Sequence, residues 1–453
     1  MQIILEDNNA KGRSLHQLLE QSVDYSRVVS DLKRIANKPI GRLDVSNLLI
    51  FPHDWNVSKD EIHNSIIIGL EETENDCLIS SGNIMGFVGV NEAEVFIKSR
   101  FANDDGHDYF LHYMLQKVNK LNIVNFDLRG GKDTIWDFLI YMFPDYLSKA
   151  IKQGLYKEYR HIKHNDTNVK GSIDVSRHIR TNIPFAGKIA YNTREYSFDN
   201  PVLQLVRHTI EYIKTHPYGR NVLARDSEMI ENVSKIVFYT PTYNKNDRQK
   251  IVNANRRLVR HPYFTEYKNL QIFCLRVLRH EKLSFSGKKD KIHGILFDGA
   301  WLWEEYLNTV LKKDFIHPEN KTGKNGFKLF EKGPQRIYPD FISEQVPKIV
   351  ADAKYIPLNR QESYAESDDR LINIYYKTIT YMYRFNSKRG LLFFPYPFEG
   401  EPFNKEYKIE DREGTLTKIG FNIPKNIDDW GEFQEAMKKS ECKFKNTIKK
   451  ISE

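Results

Sequence analysis

Two short β-prone segments constrain this chain more than any other stretch: Tyr338-Pro339-Asp340-Phe341-Ile342 and Ile349-Val350-Ala351-Asp352-Ala353-Lys354-Tyr355. Each sets charge into an apolar run. Successive side chains on a strand leave opposite faces, so Asp352 and Lys354 share one face while Ile349, Ala351 and Ala353 take the other. A hairpin closed around Glu344–Pro347 that pairs Ile342 with Val350 sets Asp340 opposite Asp352, with Cβ atoms about 5 Å apart.

Two carboxylates that close raise each other's cost unless a cation lies between them. Lys354 offsets one of the two. The charge left over suits Mg²⁺, which takes a few hard oxygen ligands and keeps positions open for water and phosphate. A metal there lowers the pKa of a bound water and stabilises charge developing on a scissile phosphate, and Lys354 is placed to orient or help deprotonate that water. The competing reading is a surface hairpin with a salt bridge from Lys354 to either Asp. The bare pattern is weak: Pro144-Asp145 is a decoy with no acid–x–Lys or strand pair after it. Context distinguishes the two.

That context is a compact α/β unit. Trp301 to Leu311 reads as an amphipathic helix bearing Glu304 and Glu305. Strand candidates follow at Phe327–Phe330, Arg336–Ile342 and Lys348–Ile356, then a helix over 369–385 with Ile372, Tyr375, Tyr376, Ile379, Tyr383 and Phe385 apolar. Leu391-Leu392-Phe393-Phe394, between Gly390 and Pro395, suits a strand buried on both faces. The order helix–strand–strand–strand–helix–strand defines the fold class expected here, a mixed α/β chain with an αβββαβ core toward its C-terminus.

Upstream patterning is different. Residues 1–165 carry short strand-like runs (Ser65–Ile68, Val95–Lys98) with Gly82, Gly86 and Gly89 between them, then helical spacing from Tyr109 to Val118 and from Ile135 to Phe143, before Pro144. An α+β region is expected there. A mixed middle region, 166–285, contains a helix over 199–215 that either Asp199 or Asn200 caps, with Pro201 in its first turn. It also contains the densest basic run, Lys245 to Arg260, read either as a solvated face or as a contact to a nucleic-acid backbone. The αβββαβ segment spans 286–400. The remainder, 401–453, is Lys-rich near its end and is expected to form a surface helix.

The chain has 453 residues, with Lys+Arg 68 against Asp+Glu 60 and a formal net charge of +8. That bias permits a polyanionic partner without identifying one. Cys77, Cys274 and Cys442 lie far apart with no CxxC pair, so neither a disulfide framework nor structural zinc is expected, and a reducing compartment fits. His161/His164 and His107/His112 have no HExxH context. The opening Met1 to Asp7 meets acid after three apolar residues, and no apolar stretch is long enough to span a bilayer, so a cytoplasmic, non-membrane protein is expected.

The paired acids, the lysine and their flanking elements resemble the PD-(D/E)XK nuclease core. More broadly, the chain resembles the McrC family, including LlaJI-type restriction subunits. The matching phrases are Val95 to Phe101, Val169 to Asp174 with Arg177-His178-Ile179, Tyr196 to Pro201, Leu302 to Tyr306, Pro339-Asp340 and Asp352-Ala353-Lys354.

This resemblance implies a DNA endonuclease subunit of a restriction complex. It acts on double-stranded DNA with Mg²⁺ (Mn²⁺ as a substitute), leaving a 5′-phosphate and a 3′-hydroxyl. A separate McrB-like AAA+ GTPase or ATPase hexamer activates it, entered by the N-terminal part of this chain. Asp340 and Asp352 become metal-binding acids, with the Ala353 carbonyl beside them. Lys354 becomes the catalytic lysine and Glu304 a supporting acid, with Glu305 competing for that place. Where such nucleases often carry Gln on the second helix, this chain has Lys377, whose role, accessory or merely solvent-facing, stays open. Cutting both strands implies two copies brought together or sequential nicking. No GxxxxGK[ST] is present, Gly130-Gly131-Lys132-Asp133 being the closest phrase, so no nucleotide is expected to bind this chain. The competing function is a non-catalytic adaptor that binds and stimulates the NTPase and DNA.

Overall fold

The computed structural model describes residues 2–19, 24–43, 47–51, 61–74, 76–91, 93–103, 108–119, 132–216, 219–283, 292–318, 326–359, 369–398 and 400–452. His107, Gly130 and Gly131 lie outside them, as does the expected boundary near 285. The chain divides into two compact units, Met1–Ile135 with Lys289–Glu453, and Trp136–Lys288. The region expected at 1–165 is therefore divided, its first 135 residues joining 289–453 in one unit and residues 136–165 belonging to the other.

In the first unit, a five-stranded sheet has the order Gln2–Glu6, Ala93–Lys98, Ile84–Val90, Ile292–Asp298, Asn47–Phe51. Ile292–Asp298 lies far along the sequence from its partners yet pairs antiparallel with Ile84–Val90 and parallel with Asn47–Phe51. Its fit depends on glycine. Gly86 has φ +122°, and a Cβ there would lie 2.1 Å from the Ile295 carbonyl oxygen. Ile3, Leu5, Val88, Val90, Val95 and Ile97 build the core over this sheet. Ser65–Ile68 is strand-like only at its end, because the strand runs Ile68–Glu72.

Asp298 closes that strand and opens the next element. Its carboxylate accepts the N–H groups of Ala300 and Trp301, capping the helix Gly299–Leu311. A six-stranded sheet follows, ordered Phe315–Ile316, Phe341–Ser343, Ile349–Ala353, Arg389–Tyr396, Thr415–Asn422, Asn404–Lys408. Arg389–Tyr396 is parallel to both neighbours, and Leu391 to Phe394 are fully buried, as the unbroken apolar run requires. The helix Asp369–Arg384 connects Ile349–Ala353 to Arg389–Tyr396 as a crossover.

Three expectations need correction. Phe327–Lys328 pairs with Arg336–Ile337 in a separate two-stranded ribbon, so the first strand of the main sheet is Phe315–Ile316. The run Arg336–Ile342 breaks at Pro339, which has no N–H to give a ladder. The residues beyond 400 are more than a surface helix. They add two strands to the sheet, and helix Trp430–Ser452 buries Phe433, Met437 and Phe444, the last 5.1 Å from both the Phe393 and Phe421 rings.

The second unit contains a sheet of Glu158–Asp166, Ile189–Ser197 and Ser172–Ile173 and a helical layer around Pro201–Lys214. Asn200, not Asp199, caps that helix: its Oδ1 accepts from the Val202 and Leu203 N–H groups at 3.1 Å each. Helix Lys132–Lys152 continues through Pro144, its buried Ile140, Phe143, Leu147 and Ala150 compensating the missing hydrogen bond. The basic run folds as a turn and helix Arg248–Ala254, with Val252 buried and the Arg248 guanidinium 5.3 Å from the Tyr212 ring centroid. His164 stacks on Tyr191, and His161, three along the strand, leaves the other face. No helix among the described residues is long and apolar enough to cross a membrane.

Candidate active site

The hairpin has the expected register. Ile342 pairs with Val350 and Phe341 with Ala351, which sets Asp340 against Asp352 one step further along. Both acids are buried: the side chain of Asp352 is 0% exposed and that of Asp340 5%. Asp340 Oδ2 accepts the Ala353 N–H at 2.7 Å, so the first acid is fixed to the strand that carries the second.

Lys354 lies just beyond the last ladder residue. Its ammonium is in contact with Asp352 Oδ2 and 3.9 Å from Asp340 Oδ2. It also donates to the Ala353 carbonyl at 3.2 Å, the carbonyl expected as a ligand. Lys377, on helix Asp369–Arg384, donates to Asp352 Oδ1 at 3.3 Å. The residue whose role stayed open in the sequence therefore faces the site. One helical turn on, Tyr381 lies with its ring 5.5 Å from the Lys377 ammonium and donates to the Tyr338 carbonyl at 3.0 Å, tying helix to hairpin.

His317 was not legible as a site residue. It follows the edge strand Phe315–Ile316, and its Nδ1 is 2.7 Å from the Asp340 carbonyl oxygen. Its Nε2 faces Glu304 at 3.7 Å and Glu305 at 3.6 Å. Burial alone would lower the imidazole, but the Glu305 and Asp340 carbonyl hydrogen bonds and both glutamate charges push it up to about 9. Burial raises Glu304, opposed by the charges of His317 and Lys354 and reinforced by those of Glu305 and Asp352.

Electrostatics set the two aspartates apart. Burial, then the charges of Asp352 and Glu304, hold Asp340 well above the usual carboxylate range. Burial would raise Asp352 too, but the ammonium groups of Lys354 and Lys377 overcome it and hold that carboxyl below the range. Burial would likewise lower Lys377, and the Asp352 and Asp340 charges reverse that. Two buried acids this close do not both ionise without a further cation.

The donor set fits Mg²⁺. Among the described residues no three His, Cys, Asp or Glu groups come together to hold a metal ion. Mg²⁺, however, is commonly held by one or two carboxylates plus waters and substrate phosphates. Asp352 Oδ2 is buried and has no aligned hydrogen bond despite its contact with Lys354. A buried acid oxygen opposite a second carboxylate is the kind of hard donor that Mg²⁺ takes.

Comparison with known proteins places this geometry in a family context. A family profile described as "McrBC 5-methylcytosine restriction system component" matches residues 79–395, well over half of the chain. No curated protein matches. Among solved structures, a chain of the refined half-complex from a tetradecameric assembly of Thermococcus gammatolerans McrB AAA+ hexamers with bound McrC is similar over 100% of both chains, at 15% identity and a TM-score of 0.51. That likeness is one of fold. A cryo-EM structure of the Thermococcus gammatolerans McrBC complex is similar over 69% of this chain and 88% of the other, at 14% identity and a TM-score of 0.29.

Proposed function

The chain belongs to the McrBC 5-methylcytosine restriction system component family, and from that premise we propose that it is a Mg²⁺-dependent DNA endonuclease subunit activated by a separate AAA+ NTPase. The observation that carries the reading is the convergence of Asp340, Asp352, Lys354 and Lys377 on one end of a buried hairpin. A structural salt bridge needs one acid and one base. Here two acids, neither exposed, meet two ammonium groups that keep contact with solvent, at 22% and 43% exposure.

Asp340, Asp352 and the Ala353 carbonyl would hold the metal. When bound, the metal supplies Lewis acidity toward the scissile phosphate and a more acidic water. Lys354 reaches over Asp352 from the solvent side and orients the attacking water. Lys377, from the neighbouring helix, neutralises a nonbridging phosphate oxygen. The water oxygen bonds to phosphorus, the bond to the 3′ oxygen breaks, and the proton lost by water is returned to that oxygen through solvent, giving a 5′-phosphate and a 3′-hydroxyl. Glu304 sets the charge around Lys354, and His317 fixes Asp340 through its carbonyl. One chain carries one such site, so cutting a duplex takes two copies or two successive nicks.

The partner follows from the same family reading. The solved relative assembles with McrB AAA+ hexamers, and this chain would engage a similar ring. The decisive experiment mixes the full chain with a neighbouring AAA+ gene product, NTP, Mg²⁺ and plasmids of defined methylation. Asp352→Ala and Lys354→Ala are each expected to lower cleavage at least about 10²-fold while still assembling with the NTPase. Parent-like cutting by both variants removes the site. Stimulated NTP turnover with no scission by the parent chain favours the non-catalytic adaptor instead.

A further inference from the structure

We propose that Arg100, from the N-terminal sheet, is a positioning residue for Lys354. The inference rests on the nuclease reading for its catalytic consequence, but not for its geometry. Lys354 is the first residue beyond the strand Ile349–Ala353, and two fastenings set its path. Its own N–H donates to the Phe393 carbonyl at 2.8 Å, from the adjacent strand of the same sheet. The next carbonyl, that of Tyr355, accepts from Arg100 Nη2 at 3.1 Å.

Arg100 is itself held from several sides. It follows strand Ala93–Lys98, its N–H donates to Asp7 Oδ1 at 2.5 Å, and its Nη1 lies 3.4 Å from Asp7 Oδ2. Its guanidinium lies 4.5 Å from the Tyr355 ring centroid and 5.0 Å from that of Phe101. Tyr355 is buried, with its hydroxyl 3.6 Å from Met85 Sδ. The ring is also wedged against the start of helix Gly299–Leu311, where a Cβ on Gly299 would come within 3.0 Å of Tyr355 Cε1. The residue after Lys354 is therefore fixed by the N-terminal sheet, by the first helix of the αβββαβ core, and by one guanidinium that bridges an acid and a carbonyl.

Only arginine satisfies that geometry. Its planar fork can serve an acid and a carbonyl at once while stacking on a ring, whereas a lysine offers a point charge on a flexible stem. Arg100→Lys therefore keeps a cation for the buried Asp7 and gives up the Tyr355 fastening. Arg100→Ala would leave Asp7 uncompensated, a change that tests folding more than positioning. Asp7→Asn combined with Arg100→Leu removes both charges together, along with the carbonyl donor, and is the second variant.

The test is made on the full chain with two readouts. The first is acylation of Lys354 by an amine-reactive ester, quantified by peptide mass spectrometry with Lys377 as internal reference; it needs no catalysis. The second is Mg²⁺-dependent plasmid cleavage with the AAA+ partner. Arg100→Lys is expected to raise Lys354 acylation several-fold relative to Lys377, and to lower kcat by about 10²-fold with KM nearly unchanged, as misplacement of a reacting group by about 1 Å does. The double variant is expected to do the same, and thermal midpoints near that of the parent exclude a merely structural loss. Parent-like acylation and cleavage in either folded variant overturn the proposal. If the parent cuts no DNA while Lys354 labelling still responds to Arg100→Lys, the positioning stands and the nuclease reading falls.

Discussion

At Asp352 two ammonium groups meet one carboxylate, Lys354 against Oδ2 and Lys377 3.3 Å from Oδ1. A divalent ion entering this site competes with both. Lys377→Ala removes one competitor, whose charge opposes metal binding by about 1 kcal/mol or more near a protein surface. The Mg²⁺ concentration for half-maximal cleavage is therefore expected to fall several-fold, while the maximal rate falls because the phosphate loses its contact. A titration of cleavage against Mg²⁺ checks both signs, and a higher Mg²⁺ requirement would show that Lys377 supports the metal instead of opposing it. The glutamates on the first helix separate in the same way. Glu304→Gln is expected to lower cleavage by about 10–100-fold, as loss of a group supporting metal ligands does, because its charge reaches Lys354 and Asp352. Glu305→Gln is expected to cost less, its carboxylate lying 3.6 Å from the His317 imidazole. Equal losses in the two variants would remove that distinction.

Elements were legible where one periodicity ruled them. The buried strand over Leu391 to Phe394, the helix starting at the Asn200 cap and the hairpin register at Ile342 and Val350 all follow from local pattern. The candidate acids were legible for the same reason, since alternation along one strand and register across a hairpin are short-range facts. What joined distant sequence was not. Nothing local in Ile292–Asp298 says that it completes a sheet begun at residue 2, and nothing near His317 or Arg100 shows what each faces. Thr415–Asn422 is seven-eighths buried beside Arg389–Tyr396, yet the Lys-rich residues after it dominated its reading. Gly86 is the sequence mark of the long-range pairing. Gly86→Ala forces a side chain onto the Ile295 carbonyl at a φ of +122° and is expected to cost at least about 2 kcal/mol. Urea unfolding measures it, and a loss below half that value would mean that the two strands part easily.

For the molecule as a whole, a deeply buried charge outside the acid pair is Asp7, whose side chain is 0% exposed where the five- and six-stranded sheets of the first unit approach through Arg100 and Tyr355. Burial, opposed by the Arg100 charge and its backbone N–H, pushes this carboxyl up to about 6 from 3.8. A group with a raised folded value binds its proton more tightly folded than unfolded. Its stabilising contribution is thus full below about pH 4 and is lost as pH rises through 6. The shift corresponds to roughly 3 kcal/mol over that window. Other carboxylates titrate in the same range, so the parent curve alone does not isolate it. The difference curve does: the stability of Asp7→Asn relative to the parent is expected to move in favour of the variant by roughly 3 kcal/mol between pH 4 and pH 7. A constant offset from the altered Arg100 contact leaves this slope unchanged. Chemical denaturation of both chains at four or five pH values gives the slope. A flat difference would mean that Arg100 fully compensates Asp7, and that the junction between the sheets is indifferent to acid.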